Sequence, residues 1–167
     1  HNIIGRLPGT RHPNETVIYS AHWDHFGIGQ PDAKGDHIYH GARDDASGVA
    51  YLLELGRAFA HAPRTDRSIL FLAFTAEERG LLGSEYYASN PVYPLGTTAG
   101  MFNMDIEIGG GAAKDFSIWG IAKLGLLDGL IAEGRKLGRF YSPDPRAEAG
   151  YFYRADHFTM AKQGVPA

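Results

Sequence analysis

The sequence predicts an α/β domain with helices on both faces of a mostly parallel sheet. Three observations carry this expectation. Short β-rich apolar runs alternate along the chain with segments of helical periodicity. The runs at residues 16–21, 68–74 and 99–104 are nearly continuous in apolar character, as strands covered on both faces are. The 167-residue chain, 44% apolar and 21% charged, suits one domain, residues 1–167, built on one core.

Taken in order, residues 2–7 are a short apolar strand closed by the turn Pro8-Gly9. Residues 16–21 are a buried strand running into His22-Trp23-Asp24-His25. Residues 26–40, rich in Gly, Pro and Asp, form a loop long enough to be functional or mobile. Residues 47–60 form a helix, with Val49, Leu52, Leu53, Gly56 and Phe59 on its inward face and Ala62-Pro63 ending it. Residues 68–74 are the central strand, followed directly by Glu77-Glu78. Leu81-Leu82 and Tyr86-Tyr87 mark a second helix, stopped before Asn90-Pro91. Residues 99–104 form a third core strand that ends at Asp105, and residues 115–119 form another. Residues 126–137 are a helix with Leu126, Leu127, Leu130, Ile131 and Leu137 inward. Residues 142–150 form a loop and residues 156–163 a short helix, and Gly164-Val165-Pro166-Ala167 begin a further strand.

Composition excludes several classes. A net charge of -3 without a basic stripe gives nucleic-acid binding no electrostatic support. No apolar run approaches the ~20 residues of a membrane span. With no cysteine, disulfides and thiolate metal sites are excluded. The 22 glycines are scattered between apolar runs and act as loop punctuation. The chain opens at His1-Asn2 without Met, so a processed or trimmed piece of a longer protein is expected.

The chemistry centres on residues 41–48, Gly-Ala-Arg-Asp-Asp-Ala-Ser-Gly. An Asp-Asp pair before a helix is usually an N-cap. Here, however, His22, Glu77-Glu78 and Asp105 end three separate strands, and His157 opens a helix. Open α/β sheets bind ligands beyond the carboxyl ends of their strands. Carboxylates converging there repel unless a cation compensates them. Two His and three carboxylates, without Cys, suit Zn²⁺, with Mn²⁺ or Co²⁺ as substitutes. The other candidates have plainer readings. Asp45 is a loop or helix-start residue outside the metal shell, and Asp156 caps the helix that His157 begins. His25, His37 and His40 are solvated loop residues, and Arg43 is a surface arginine. Tyr151, Phe152 and Tyr153 are read equally well as core packing or as the lining of a substrate pocket.

His22-Trp23-Asp24-His25, residues 41–48, Ala76-Glu77-Glu78-Arg79-Gly80, Asn103-Met104-Asp105 and Ala155-Asp156-His157-Phe158 together resemble the dinuclear zinc aminopeptidases. The likeness extends to the wider family that includes glutamate carboxypeptidase and, by fold, glutaminyl cyclase. It implies a three-layer α/β/α sandwich around a mixed sheet, and two zinc ions bridged by Asp44. His22 and Asp105 complete one ion, and Glu78 and His157 the other. Glu77 is the general base, and Asp24 orients the imidazole of His22. It also implies a peptide substrate, a secreted or periplasmic location, and further chain beyond both ends; it leaves the oligomeric state open. The expected reaction is removal of an N-terminal, apolar residue, with Tyr151 and Tyr153 beside the substrate. An acidic preference would need a basic pocket drawn from Arg43, Arg146 and Arg154. Competing readings are a carboxypeptidase or other amidohydrolase, a one-zinc cyclase, and a non-catalytic binding domain.

Overall fold

The computed structural model describes residues 1–106, 111–119 and 125–167. Among the described residues, the main sheet has four strands in the order β1-β5-β2-β6. At its centre, β2 (His12–His22) runs parallel to β5 (Arg67–Phe74), with Ile18 opposite Leu70 and His22 opposite Phe74. On the other side of β2 lies β6 (Thr98–Asn103), also parallel, with Met101 opposite Ile18. The first strand, β1 (Ile3–Leu7), pairs antiparallel with β5 at the edge, which makes the sheet mixed.

Because strand side chains alternate between faces, this register sorts the apolar residues into two clusters. Ile18, Leu70, Leu72, Phe74 and Met101 point to one face. There they meet Tyr87 and Ala88 of α2 (Leu82–Ser89), Met160 of α4 (His157–Ala161) and Val165. Ala21 and Ala73, with Tyr19 and Phe71, point to the other face and meet Leu52 and Val49 of α1 (Ala46–His61). Each fully buried large side chain contributes roughly 1.5–3 kcal/mol. Helices on both sides of the sheet give the three-layer α/β/α arrangement.

Several local expectations are corrected. The long loop contains a small hairpin, β3 (Gly27–Ile28) against β4 (Ile38–Tyr39). Leu53 is 71% exposed, because it lies one residue, ~100° of helical rotation, past the buried Leu52. The strand expected at 115–119 shortens to β7 (Asp115–Phe116), which pairs with β8 (Phe140–Tyr141) in a separate two-stranded sheet. Between them in sequence, α3 (Gly125–Lys136) has no fully buried residue among those described, and Leu137 beyond its end is 77% exposed. Residues 164–167 form no strand, but Met101 N donates to Pro166 O at 2.7 Å on the free side of β6.

Candidate metal centre

The carboxyl ends of β2, β5 and β6 and the start of α1 deliver the site. Asp45 is the N-cap of α1, its carboxylate accepting from Gly48 N at 3.0 Å and from His22 N at 3.1 Å. Asp45 is thereby buried and ties the ligand-bearing strand to the helix, as its reading as a helix-start residue requires. Glycine is needed at 48, since a Cβ there would lie 2.4 Å from Asp45 Oδ1 and 2.7 Å from Met104 O. The Asp44–Asp45 peptide is cis. Asp44, freed from capping, faces the cleft.

His22 is 1% exposed. Its Nε2 lies 3.0 Å from Asp44 Oδ1, 3.8 Å from Asp105 Oδ1 and 4.0 Å from Glu77 Oε2. On the other side of the ring, Nδ1 is 3.1 Å from the main-chain oxygen of Asp24 and 3.7 Å from its carboxylate. A partner on the second nitrogen sets the tautomer and aims Nε2 at the cleft. The carboxylate of Asp24 also accepts from Glu77 N at 3.0 Å and Glu78 N at 3.3 Å. Glu77-Glu78 lie in a single 3₁₀ turn, Glu77–Arg79, entered through a left-handed Ala76 at φ 56°. The turn exposes two peptide N–H groups to Asp24. It sends the side chains apart, Glu77 toward His22 and Glu78 toward His25.

Among the described residues, two sets of metal-type atoms converge within 4.8 Å: His22, Asp44 and Asp105, and His25, Asp44 and Glu78. Asp44 belongs to both. His25, which the sequence places in a loop without special role, brings Nδ1 to 2.5 Å from Glu78 Oε1. Its sequence signal was its position three residues after His22 in the turn that leaves β2. His157 belongs to neither set. Its ring packs edge-on against Phe152, with centroids 4.8 Å apart, and burial lowers its pKa to about 4 against the pull of Asp105. It is therefore a neutral imidazole.

The residues present fit a divalent cation. His22 Nε2, His25 Nδ1, Glu78 Oε1 and Asp105 Oδ1 are buried and lack hydrogen-bond partners. Orphaned polar atoms of this kind are rare in folded proteins and mark a missing ion or water. Burial raises Glu77 to about 8, with the charges of Asp156, Asp105 and Glu78 adding to the effect against His22. Burial also raises Glu78, beside Asp44. Burial alone would pull His22 down, but Asp105, Asp45 and Glu77 outweigh it and push it up to about 10. Without a cation, the site holds protons in its place.

Above these groups opens a cavity of about 450 Å³. Asp44, Glu77, Glu78 and Asp105 form its floor, and Trp119, Tyr151, Tyr153 and Arg154 part of its wall. Tyr151 stacks on Trp119 at 4.9 Å, while Phe152 packs on His157 and Phe158. Tyr151 lines the cleft and Phe152 packs, while Tyr153 does both, its ring meeting Phe158 edge-on at 5.2 Å.

The sequence profile of Peptidase family M28 matches residues 2–167. The chain belongs to this family. It is 38% identical over 113 residues to a probable zinc metalloprotease of Pyrenophora tritici-repentis (strain Pt-1C-BFP), covering 68% of this chain and 25% of that protein. Its structure is similar to that of an aminopeptidase from Aneurinibacillus sp. strain AM-1, with TM-score 0.73 and 31% identity, over 100% of this chain and 38% of that one. The glutaminyl cyclase of Porphyromonas gingivalis shares the fold, with TM-score 0.74 and 22% identity, over 99% of this chain and 60% of that one. The M28 chain therefore spans about a quarter of the length of the metalloprotease that it matches. The relatives that it matches are named zinc metalloproteases, and in this M28 chain side chains able to hold a metal converge beyond the carboxyl ends of the strands.

Proposed function

We propose that this chain carries the catalytic domain of a two-metal exopeptidase that removes the N-terminal residue of peptides. The observation that carries the reading is Asp44, the one carboxylate common to both sets of converging ligands. His22 and Asp105 would complete one cation with it; Glu78 and, as the resemblance implies, His157 would complete the other. When bound, such a metal pair polarises the scissile carbonyl and acidifies water. Glu77 is positioned for proton transfer. Its side chain reaches the cleft beside His22, and its peptide N–H is held by Asp24. A carboxylate so placed takes a proton from the attacking water and returns it to the leaving amine. The acidic floor attracts the cationic α-amine of a substrate, and the Trp119–Tyr151 wall offers apolar surface to its first side chain. Discrimination by such a wall is graded, since one methylene is worth only ~1–3 kcal/mol. A secreted or periplasmic location is part of the same proposal, on family resemblance.

A second reading is favoured by Arg154, a residue of the cleft wall whose guanidinium lies 5.5 Å from the Tyr151 ring centroid. An arginine there suits a substrate carboxylate, as a carboxypeptidase requires. A Leu-led peptide, free or acetylated at its N-terminus and assayed with zinc, separates the two. Cleavage of the free peptide alone is the expected result. Equal cleavage of both would overturn the aminopeptidase reading in favour of the second.

A further inference from the structure

We infer that His25 is a protein ligand, with Asp44 and Glu78, to the cation on the Glu78 side of the site. The inference rests on the two-metal reading above. His25 Nδ1 and Glu78 Oε1 are 2.5 Å apart, both are buried, and neither has a hydrogen-bond partner. The two atoms are at ion-pair distance, an arrangement that a proton or a shared cation between them stabilises. Asp44 supplies the third atom within 4.8 Å. With the His157 that the resemblance implies, His25 would make two imidazoles and two carboxylates around that cation, a donor set that zinc, manganese and cobalt accept.

The ring is also held in place. On the inner side, Gly41 at φ +61° lets the loop carrying Asp44 close on His25. A Cβ at 41 would lie 2.9 Å from His25 Cβ and 2.9 Å from Asp44 O. On the outer side, the ring packs against Phe26 with centroids 5.0 Å apart, and Phe26 packs against Tyr39 of the small hairpin at 5.9 Å. The hairpin inserted after β2 thus buttresses the imidazole, and Nδ1 faces the carboxylates. His37 and His40 of the same loop have other partners, Gly29 O and Asp36, away from the cleft.

The test is Co²⁺ binding to the purified chain, read by equilibrium dialysis and by visible absorption, in wild type, His25→Ala and His25→Asn. Metal-free melting temperatures establish that each variant is folded, and the Asn variant keeps a polar side chain in the gap should Ala unfold. Loss of an outer partner of a ligand weakens metal binding ~10–100-fold, so a ligand should exceed that range. The expected result is one Co²⁺ retained at wild-type affinity and the other weakened more than ~100-fold. Its absorption band should change and be restored by added imidazole. A Co²⁺ absorption band unchanged in the variants overturns the inference, whatever the affinity, and leaves His25 as a residue that only orients Glu78. Wild-type stoichiometry is read separately: fewer than two Co²⁺ per chain overturns the two-metal reading, while His25 still stands or falls on whether its removal alters the site that remains.

Discussion

The floor and the wall of the cleft are built in different ways. The floor hangs on the ends of central strands whose own side chains, Ile18, Leu70, Leu72 and Phe74, are 0% exposed. The wall hangs on short 3₁₀ turns and on the segment around a two-residue strand pair, with Tyr153 63% exposed and the neighbouring α3 without a fully buried residue among those described. Reacting groups tolerate little displacement, so the ligands sit where packing leaves one arrangement. Side-chain selection needs only an adaptable apolar surface, which stacked rings on lightly packed turns provide.

Paired truncations would break this comparison most directly. Phe74→Ala should cost about 3–5 kcal/mol of stability by opening a cavity under the floor. Leu137→Ala, on the wall side, should stay within about 0.5 kcal/mol. Urea melts of the two variants measure both, and equal losses would show that the halves are packed alike. Within the floor, Glu77→Gln should lower turnover ~10²–10⁴-fold while zinc content, measured by elemental analysis, stays at the wild-type level. Loss of zinc in that variant would make Glu77 a ligand instead. Asp24→Asn should cost about 10–100-fold in metal affinity or activity. The carboxylate steadies both His22 and the Glu77–Glu78 turn, so the loss should appear at both cations, and a loss confined to one would assign Asp24 to the imidazole alone.

The smallest effect is a pH dependence of the metal-free chain. Burial raises Asp45 and Asp156 to about 7 and Glu77 to about 8. Raised carboxyls keep protons in the folded state that the unfolded chain has released. Their contribution is therefore full below the usual carboxylate range and is lost as pH rises through 7–8. His22, raised to about 10, is lost in the same direction above its unfolded ~6.5. His157, lowered to about 4, acts oppositely, but only below ~6.5. Between pH 6.5 and 7 all the raised groups act together, and up to 8 Glu77 and His22 continue, so the melting temperature in chelator should fall as pH rises, and zinc should reverse the fall. A flat profile would mean that the floor does not hold protons in place of a cation.

Much of the floor was legible before the fold was known. A continuous apolar run that breaks into His, Glu or Asp marks a strand end locally, which is why His22, Glu77, Glu78 and Asp105 stood out. Asp44 and Asp45 were told apart by the resemblance, and the structure supplies the reason, since Asp45 is the acceptor that the free N–H groups of the helix start need. The wall was harder to read, since aromatic residues serve packing and pockets equally well. Only the stack of Tyr151 on Trp119 and the contact of Phe152 with His157 divide them.

By itself, the sequence determined the α/β class, the core strands, the main helices and the residue types able to hold a cation, because periodicity, capping and strand ends are properties of short windows. Tertiary structure alone decided the order β1-β5-β2-β6 and the antiparallel edge, since nothing local says which neighbour a strand chooses. It alone brought the carboxylate of Asp24 to the peptide N–H groups of Glu77 and Glu78, and His25 to Glu78, across more than fifty residues of chain. Those contacts exist because β2 and β5 lie side by side in parallel, so that the turns leaving both strands emerge at the same edge of the sheet.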